Sequence, residues 1–199
     1  MKKLIFYILL IFFTLHANAQ VKENLKIPQN PKIGLSLSGG GAKGFAHVGV
    51  LKVLDSLGVK VDYISGTSMG AIVGGLYASG YTGKDIEQII LDTDFYNLIS
   101  NKNNRAERSF FNKSVDKYLL KVPIKNGKAT LPTSISSGQK NLYLLKELFK
   151  NVSNINDFSK LPIPFMCVAT NLETGKIKIF ENGDLSESIL ASSAFPSLM

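Results

Sequence analysis

Gly66-Thr67-Ser68-Met69-Gly70 stands between an apolar run, Val61-Asp62-Tyr63-Ile64-Ser65, and a helical stretch, Ala71-Ile72-Val73-Gly74-Gly75-Leu76-Tyr77-Ala78. No other stretch narrows the fold as much. A strand that becomes a helix within so few residues needs a sharp, strained bend. Glycine on either flank leaves the space that a Cβ would take from the neighbouring strand and helix. Ser68 lies at the apex, in the strand–turn–helix layout of a nucleophile elbow. It also opens a helix, where unpaired N–H groups and the dipole favour negative charge.

A second passage of the same kind lies upstream. Lys32 to Ser38 reads as a strand, Gly39-Gly40-Gly41-Ala42-Lys43-Gly44 as a glycine loop, and Phe45 to Leu57 as a helix ended by Gly58. Phe45, Val48, Leu51 and Leu54 recur at threes, which sets one apolar face. Further on, Thr82 or Gly83 caps a helix from Lys84 to Leu91, with Ile86, Ile89 and Ile90 inward. Asn101 to Lys113 is a polar, basic loop, and Leu131 to Gly138 is irregular. Gln139 to Lys150 reads as a helix with Leu142, Leu145, Leu148 and Phe149 on one side. Phe165 to Ala169 and Lys176 to Phe180 read as strands paired through Glu173-Thr174-Gly175, and Leu185 to Ala191 as a short helix. Alternating strands and helices predict an α/β fold with a mostly parallel sheet.

The chain begins with a basic pair, Lys2-Lys3, then Leu4 to Leu15, apolar apart from Thr14, then Ala17-Asn18-Ala19. This is the pattern of a signal peptide cut after Ala19. The expected organisation is a leader over 1–19, a linker over 20–31 and one domain over 32–199. The protein is expected to be exported: periplasmic, outer-membrane-associated or secreted. The formal charge is +8, of which residues 1–20 carry two lysines and no acid. Lysines are scattered, without a basic helix stripe or aromatic interleaving, which argues against nucleic acid. A mild positive field suits anionic lipid surfaces. Cys167, the sole cysteine, excludes an intramolecular disulfide and sits in an apolar run, as a core thiol does. No Cys/His cluster has metal-ligand spacing, so neither metal nor cofactor is expected.

Two chemistries fit the glycine loop. One is dinucleotide binding: a G-x-G-x-x-G between strand and helix, with Asp62 about twenty residues on. The other is an oxyanion loop, whose glycines let several N–H groups converge on one oxygen. The oxyanion reading uses both glycine motifs on adjacent strand ends. A Walker loop fails, because Phe45 stands where a lysine is needed. A serine nucleophile needs a base. No histidine follows Ser68, which rules out the Ser-Asp-His order. His47, on the helix after the glycine loop, reads better as a structural residue. A carboxylate in a Ser–Asp dyad remains.

At these residues the chain resembles the patatin-like phospholipases. The resemblance rests on Gly39-Gly40-Gly41-Ala42-Lys43-Gly44 and Gly66-Thr67-Ser68-Met69-Gly70. It extends to Leu161-Pro162-Ile163-Pro164 through Val168-Ala169-Thr170-Asn171, and to Ala191-Ser192-Ser193-Ala194-Phe195-Pro196. It implies a three-layer α/β/α fold and a Ser–Asp dyad that hydrolyses acyl esters of phospholipids or other lipids at a membrane surface, without metal. It makes Ser68 the nucleophile and the N–H groups of Gly40, Gly41 and Ala42 the oxyanion donors. The chain departs from the family pattern at Lys43, often Arg; at Asn171, frequently Asp; and at Ser197, commonly Gly.

The family's base is the Asp of an Asp-Gly motif after the A-S-x-A-x-P segment. No Asp in this chain is followed by Gly; Asp184 follows Gly183 and precedes that segment. The catalytic Asp is therefore absent from residues 1–199, and the domain is expected to be C-terminally truncated. Secreted bacterial members continue into a POTRA-like module and an outer-membrane barrel, which the resemblance makes candidates for downstream domains. The competing readings are a catalytically inactive lipid- or partner-binding module of the same fold, and a dinucleotide-binding enzyme.

Overall fold

The computed structural model describes residues 30–95, 98, 124–125, 128–129 and 138–195. The leader, all but the last two linker residues, the Asn101–Lys113 loop, Leu131 to Ser137, and Pro196 with Ser197 lie outside the described residues. Contacts divide the chain into Met1–Pro31 and Lys32–Met199, and every element below belongs to the second unit.

Strands β1 (Gly34–Leu37) and β2 (Tyr63–Thr67) flank helix α1 (Ala46–Ser56). Helix α2 (Met69–Ala78) follows β2 directly, and α3 (Gly83–Asp92) comes next. The backbone then shows a two-residue antiparallel pair, β3 (Ile124–Lys125) with β4 (Lys128–Ala129). Helix α4 (Gln139–Leu148), strands β5 (Phe165–Thr170) and β6 (Ile177–Phe180) and helix α5 (Leu185–Ser193) complete the described chain. The main sheet has the order β1-β2-β5-β6. The first three strands run parallel, and β6 is antiparallel to β5. The α/β class with a mostly parallel sheet is thus the one expected. Of the three expected layers, the described residues show the sheet and the helices on one of its faces.

Register explains which face is covered. It aligns Leu35 with Ile64 and Phe165, and Leu37 with Gly66 and Cys167. Side chains alternate along a strand, so these rows share one face. Leu37, Ile64, Phe165 and Cys167 are buried there in one core with residues from α1 to α5. Ser36, Ser65 and Met166 form a row of the other face, on which Tyr63 and Ile179 are half exposed. The steps from β1 to β2 and from β2 to β5 move the same way across the sheet. Right-handed crossovers then bring α1 and α2 to the same face.

Helix α2 is the central helix. Eight of its ten residues are buried, so it carries no polar stripe, as befits a helix enclosed on all sides. Its glycines set how close the neighbours come. A Cβ on Gly75 would lie 2.6 Å from Ile189 Cδ1, and one on Gly74 would lie 2.9 Å from Ile64 Cγ2.

Two further boundaries have clear causes. Thr82 caps α3: its Oγ1 accepts from Asp85 N at 3.2 Å, and Asp85 Oδ2 accepts from Thr82 N at 2.9 Å. This is a reciprocal capping box built with Asp. Asn171 closes the β5–β6 turn, its Oδ1 accepting from the N–H groups of Glu173 and Thr174.

Asp55 ties three helices together. Its Oδ1 accepts from Tyr77 Oη at 2.6 Å and its Oδ2 from Gly83 N at 2.7 Å. Burial, reinforced by the Asp55 hydrogen bond and charge, pushes the Tyr77 hydroxyl up from 10.0 to about 12. A group whose folded pKa is raised stabilises the fold fully below its unfolded pKa and loses that effect as pH rises through the folded one. Tyr77 should therefore contribute stability that fades between pH 10 and about 12. Urea denaturation of the protein and of Tyr77→Phe across this range should give curves that converge at the alkaline end. A constant offset between them would contradict the assignment.

Candidate active site

Ser68 is the only non-glycine residue with positive φ among the described residues, at φ 54° and ψ −120°. Such a backbone is strained for an L-residue and persists only where its surroundings impose it. Here the impositions are visible. The Ser68 carbonyl already accepts from Ala71 N and Ile72 N, so α2 starts within the bend. Gly66 and Gly70 let strand and helix close on each other. A Cβ on Gly66 would lie 2.5 Å from Gly70 O, and one on Gly70 would lie 2.7 Å from Ser38 O. The strand runs on to Thr67 and the helix begins at Met69, so the turn is Ser68 alone. It is tighter than the expected gap from Ser65 to Ala71.

The glycine loop lies against this turn. A Cβ on Gly39 would be 3.1 Å from Ser68 Cβ, and one on Gly44 would be 2.6 Å from Met69 Cγ. Gly41 to Phe45 form a 3₁₀ turn leading into α1, and Lys43 N donates to Gly40 O at 3.2 Å. Gly40, Gly41 and Ala42 precede or open that turn, where backbone N–H groups lack intrahelical partners. Ala42 and Lys43 are exposed. The two glycine motifs, separate in sequence, thus meet at the same ends of two neighbouring parallel strands.

Beneath them is a cavity of about 350 Å³. Gly41 and Ser68 line it together with apolar side chains of three helices, including Ile72 and Leu76 of α2, Ile89 of α3 and Leu148 of α4. Its size and apolar character are those of a small-molecule site. The inward faces of α3 and α4 were legible as periodicities, but periodicity does not tell a filled core from a cavity.

The other titratable candidates are engaged elsewhere. His47 Nε2 donates to Ser38 O at 2.9 Å; a carbonyl only accepts, so this nitrogen carries the proton. The imidazole braces the entry to the glycine loop. Asp184 caps α5, accepting from Glu187 N at 2.9 Å. Burial pushes the Cys167 thiol up to about 12, which leaves no thiolate at neutral pH. Asp62 precedes β2, and its Oδ2 accepts from Ile33 N at 2.8 Å. That position is at the start of the strands, opposite the end that carries the glycine loop. A dinucleotide site needs loop and acidic residue at the same, carboxyl end, so this geometry opposes the dinucleotide reading.

One residue was missed as a contributor. Ser192, on α5, accepts the Ser68 N–H at 2.8 Å and donates to Val168 O at 2.6 Å. Ser192 stands in Ala191-Ser192-Ser193-Ala194-Phe195-Pro196, but a contact spanning 124 positions leaves no local trace.

The α/β sheet thus sets a glycine loop and a strained strand-to-helix serine side by side over an apolar cavity. The family model for patatin-like phospholipases matches residues 35–199, and the chain belongs to that family. An uncharacterized NTE-family protein of Mycobacterium tuberculosis is 30% identical over 170 residues, covering 85% of this chain and 39% of that protein. A lysophospholipase NTE1 of Debaryomyces hansenii is 34% identical over 175 residues, 87% of this chain and 10% of that one. The chain therefore spans well under half the length of these relatives. In fold it is similar to a chain of the ExoU–SpcU complex from the type III secretion system of Pseudomonas aeruginosa, with TM-score 0.50 and 17% identity over 83% of this chain and 36% of that one.

Proposed function

We propose that this chain carries the nucleophile and oxyanion loop of a serine lipid acyl hydrolase of phospholipase A type. The observation behind the reading is Ser68, held at φ 54° beside the glycine loop and at the wall of an apolar cavity. The acyl chain enters that cavity, which removes it from water and leaves the ester carbonyl over Ser68. A carboxylate base takes the Oγ proton, and Oγ bonds to the carbonyl carbon. The N–H groups of Gly40, Gly41 and Ala42 hold the resulting oxyanion. Collapse breaks the ester bond, and the alcohol leaves with the proton. Water then attacks the acyl-serine through the same base and releases the fatty acid.

An aspartate of an Asp-Gly motif would supply that base, and residues 1–199 contain no such motif. Activity is therefore expected from a chain that includes the motif and is weak or absent without it. Filling the cavity should change chain-length preference before it changes the chemistry. Ile72→Trp places an indole among its lining side chains. It should lower kcat/KM for long-chain phosphatidylcholine in mixed micelles about tenfold or more relative to a short-chain ester, the scale on which apolar pockets discriminate. Equal losses on both substrates would place the acyl chain elsewhere. The lack of any Asp-Gly pair in the chain favours one second reading, a lipid-binding module without turnover. Phospholipid binding without fatty-acid release by a chain that includes an Asp-Gly motif would establish it.

A further inference from the structure

Helix α5 ends with two adjacent serines that behave differently. Ser193 Oγ donates back to Ile189 O and Leu190 O, the ordinary habit of a serine inside a helix. Ser192 does not turn back. Its hydroxyl leaves the helix and stands between Ser68 N and Val168 O, accepting from one at 2.8 Å and donating to the other at 2.6 Å. Thr67 and Val168 are register partners of β2 and β5. Directly after that pair the chain bends into the strained Ser68 conformation and leaves the sheet. A half-buried N–H and a half-buried C=O at such a bend need partners, and one hydroxyl serves both.

We propose that Ser192 is a positioning residue for Ser68, a hydroxyl splice that holds the elbow in its strained conformation by tying it to β5 and α5. The inference rests on the reading of Ser68 as nucleophile and goes one step beyond it. The splice fixes φ of Ser68 from the N–H side, as the bonds from α2 to the Ser68 carbonyl fix the other side. It also commits the Ser68 amide. That N–H points to Ser192 and is withdrawn from oxyanion binding, which leaves stabilisation to the glycine loop and the start of α2. A serine can do this because its hydroxyl both donates and accepts. Threonine keeps that capacity, and valine keeps threonine's shape without it.

The test uses a chain that includes the Asp-Gly motif and compares Ser192→Val, Ser192→Thr and Ser192→Ala. Two quantities are read beside the melting temperature: hydrogen exchange of the Ser68 amide by NMR, and the rate constant for labelling by a fluorophosphonate. Ser192→Val and Ser192→Ala should speed exchange of the Ser68 amide at least about tenfold. They should slow labelling about 10- to 100-fold, the range expected when a reacting atom is displaced by an ångström. Ser192→Thr should restore both. Labelling at the original rate in Ser192→Val or Ser192→Ala would overturn the proposal, as would a Ser192→Thr as slow as Ser192→Val. Should Ser192→Val not fold, Ser192→Ala, which adds no bulk, decides the matter. An unlabelled parent protein would instead refute the nucleophile reading. The Ser192 splice would then still stand or fall on the amide exchange, with unchanged exchange in Ser192→Ala rejecting it.

Discussion

Replacing Ser68 with alanine should lower fatty-acid release by about 10³-fold or more, the scale of losses when a serine nucleophile is removed. The change deletes one oxygen and leaves the cavity and glycine loop in place. Ser68→Ala should therefore still bind a non-hydrolysable phospholipid analogue with nearly the parent affinity. Its stability should rise slightly or stay level, since Ser68 Oγ makes no hydrogen bond among the described residues and functional sites commonly trade stability for reactivity. The comparison is made by fatty-acid release from phospholipid micelles, with a chain that includes the Asp-Gly motif. Activity within tenfold of the parent would remove Ser68 from the mechanism and leave the elbow as a purely structural turn.

The second large effect concerns Gly70 rather than a reacting group. A Cβ at Gly70 would drive into the carbonyl groups of Leu37 and Ser38, with the Leu37 carbonyl carbon 2.5 Å away. Both are backbone atoms of the strand end leading into the glycine loop, so no side chain can rotate aside. Gly70→Ala must push α2 away from β1 or shift the loop. Overpacking of this kind costs about 1–3 kcal/mol, and a rigid obstacle belongs at the upper end. That corresponds to a fall in Tm of roughly 6–12 °C for a domain of this size. The same shift would part Ser68 from Gly39, so labelling of Ser68 should fall with it. Gly49→Ala is the matched control. Gly49 lies on the exposed side of α1, and its added Cβ would meet nothing within 4 Å. The gain in helix propensity of about 0.5–1 kcal/mol should then be free to raise Tm. A Gly70→Ala protein as stable as its parent would show that the elbow tolerates a different packing.

Much of this frame is legible in sequence because it is local. Apolar runs followed by glycines mark β1 and β2, the threes of Val48, Leu51 and Leu54 mark α1, and Thr82 or Gly83 marks the start of α3. Ser68 is legible because a strained turn restricts its neighbours to residues without bulk. What escapes is set by chain separation. Nothing near Ser192 in sequence says that its hydroxyl reaches the elbow while Ser193 does not. Nothing near Asp55 says that it holds α2 and α3 together. The cavity escapes for another reason: Ile86, Ile89 and Leu145 show an inward face whether that face meets a neighbour or an empty volume. Asp62 shows the reverse failure. Its spacing from the glycine loop matches a dinucleotide fingerprint, but spacing does not record which end of the strand the residue occupies.

If Ser68 is the nucleophile, a covalent adduct can be located on it. A chain that includes the Asp-Gly motif is treated with a fluorophosphonate, digested and mapped by mass spectrometry. One adduct per chain is expected, on the peptide containing Gly66-Thr67-Ser68-Met69-Gly70 and assigned to Ser68, and none in Ser68→Ala. An adduct on another residue, or one that survives Ser68→Ala, would contradict the nucleophile role of Ser68.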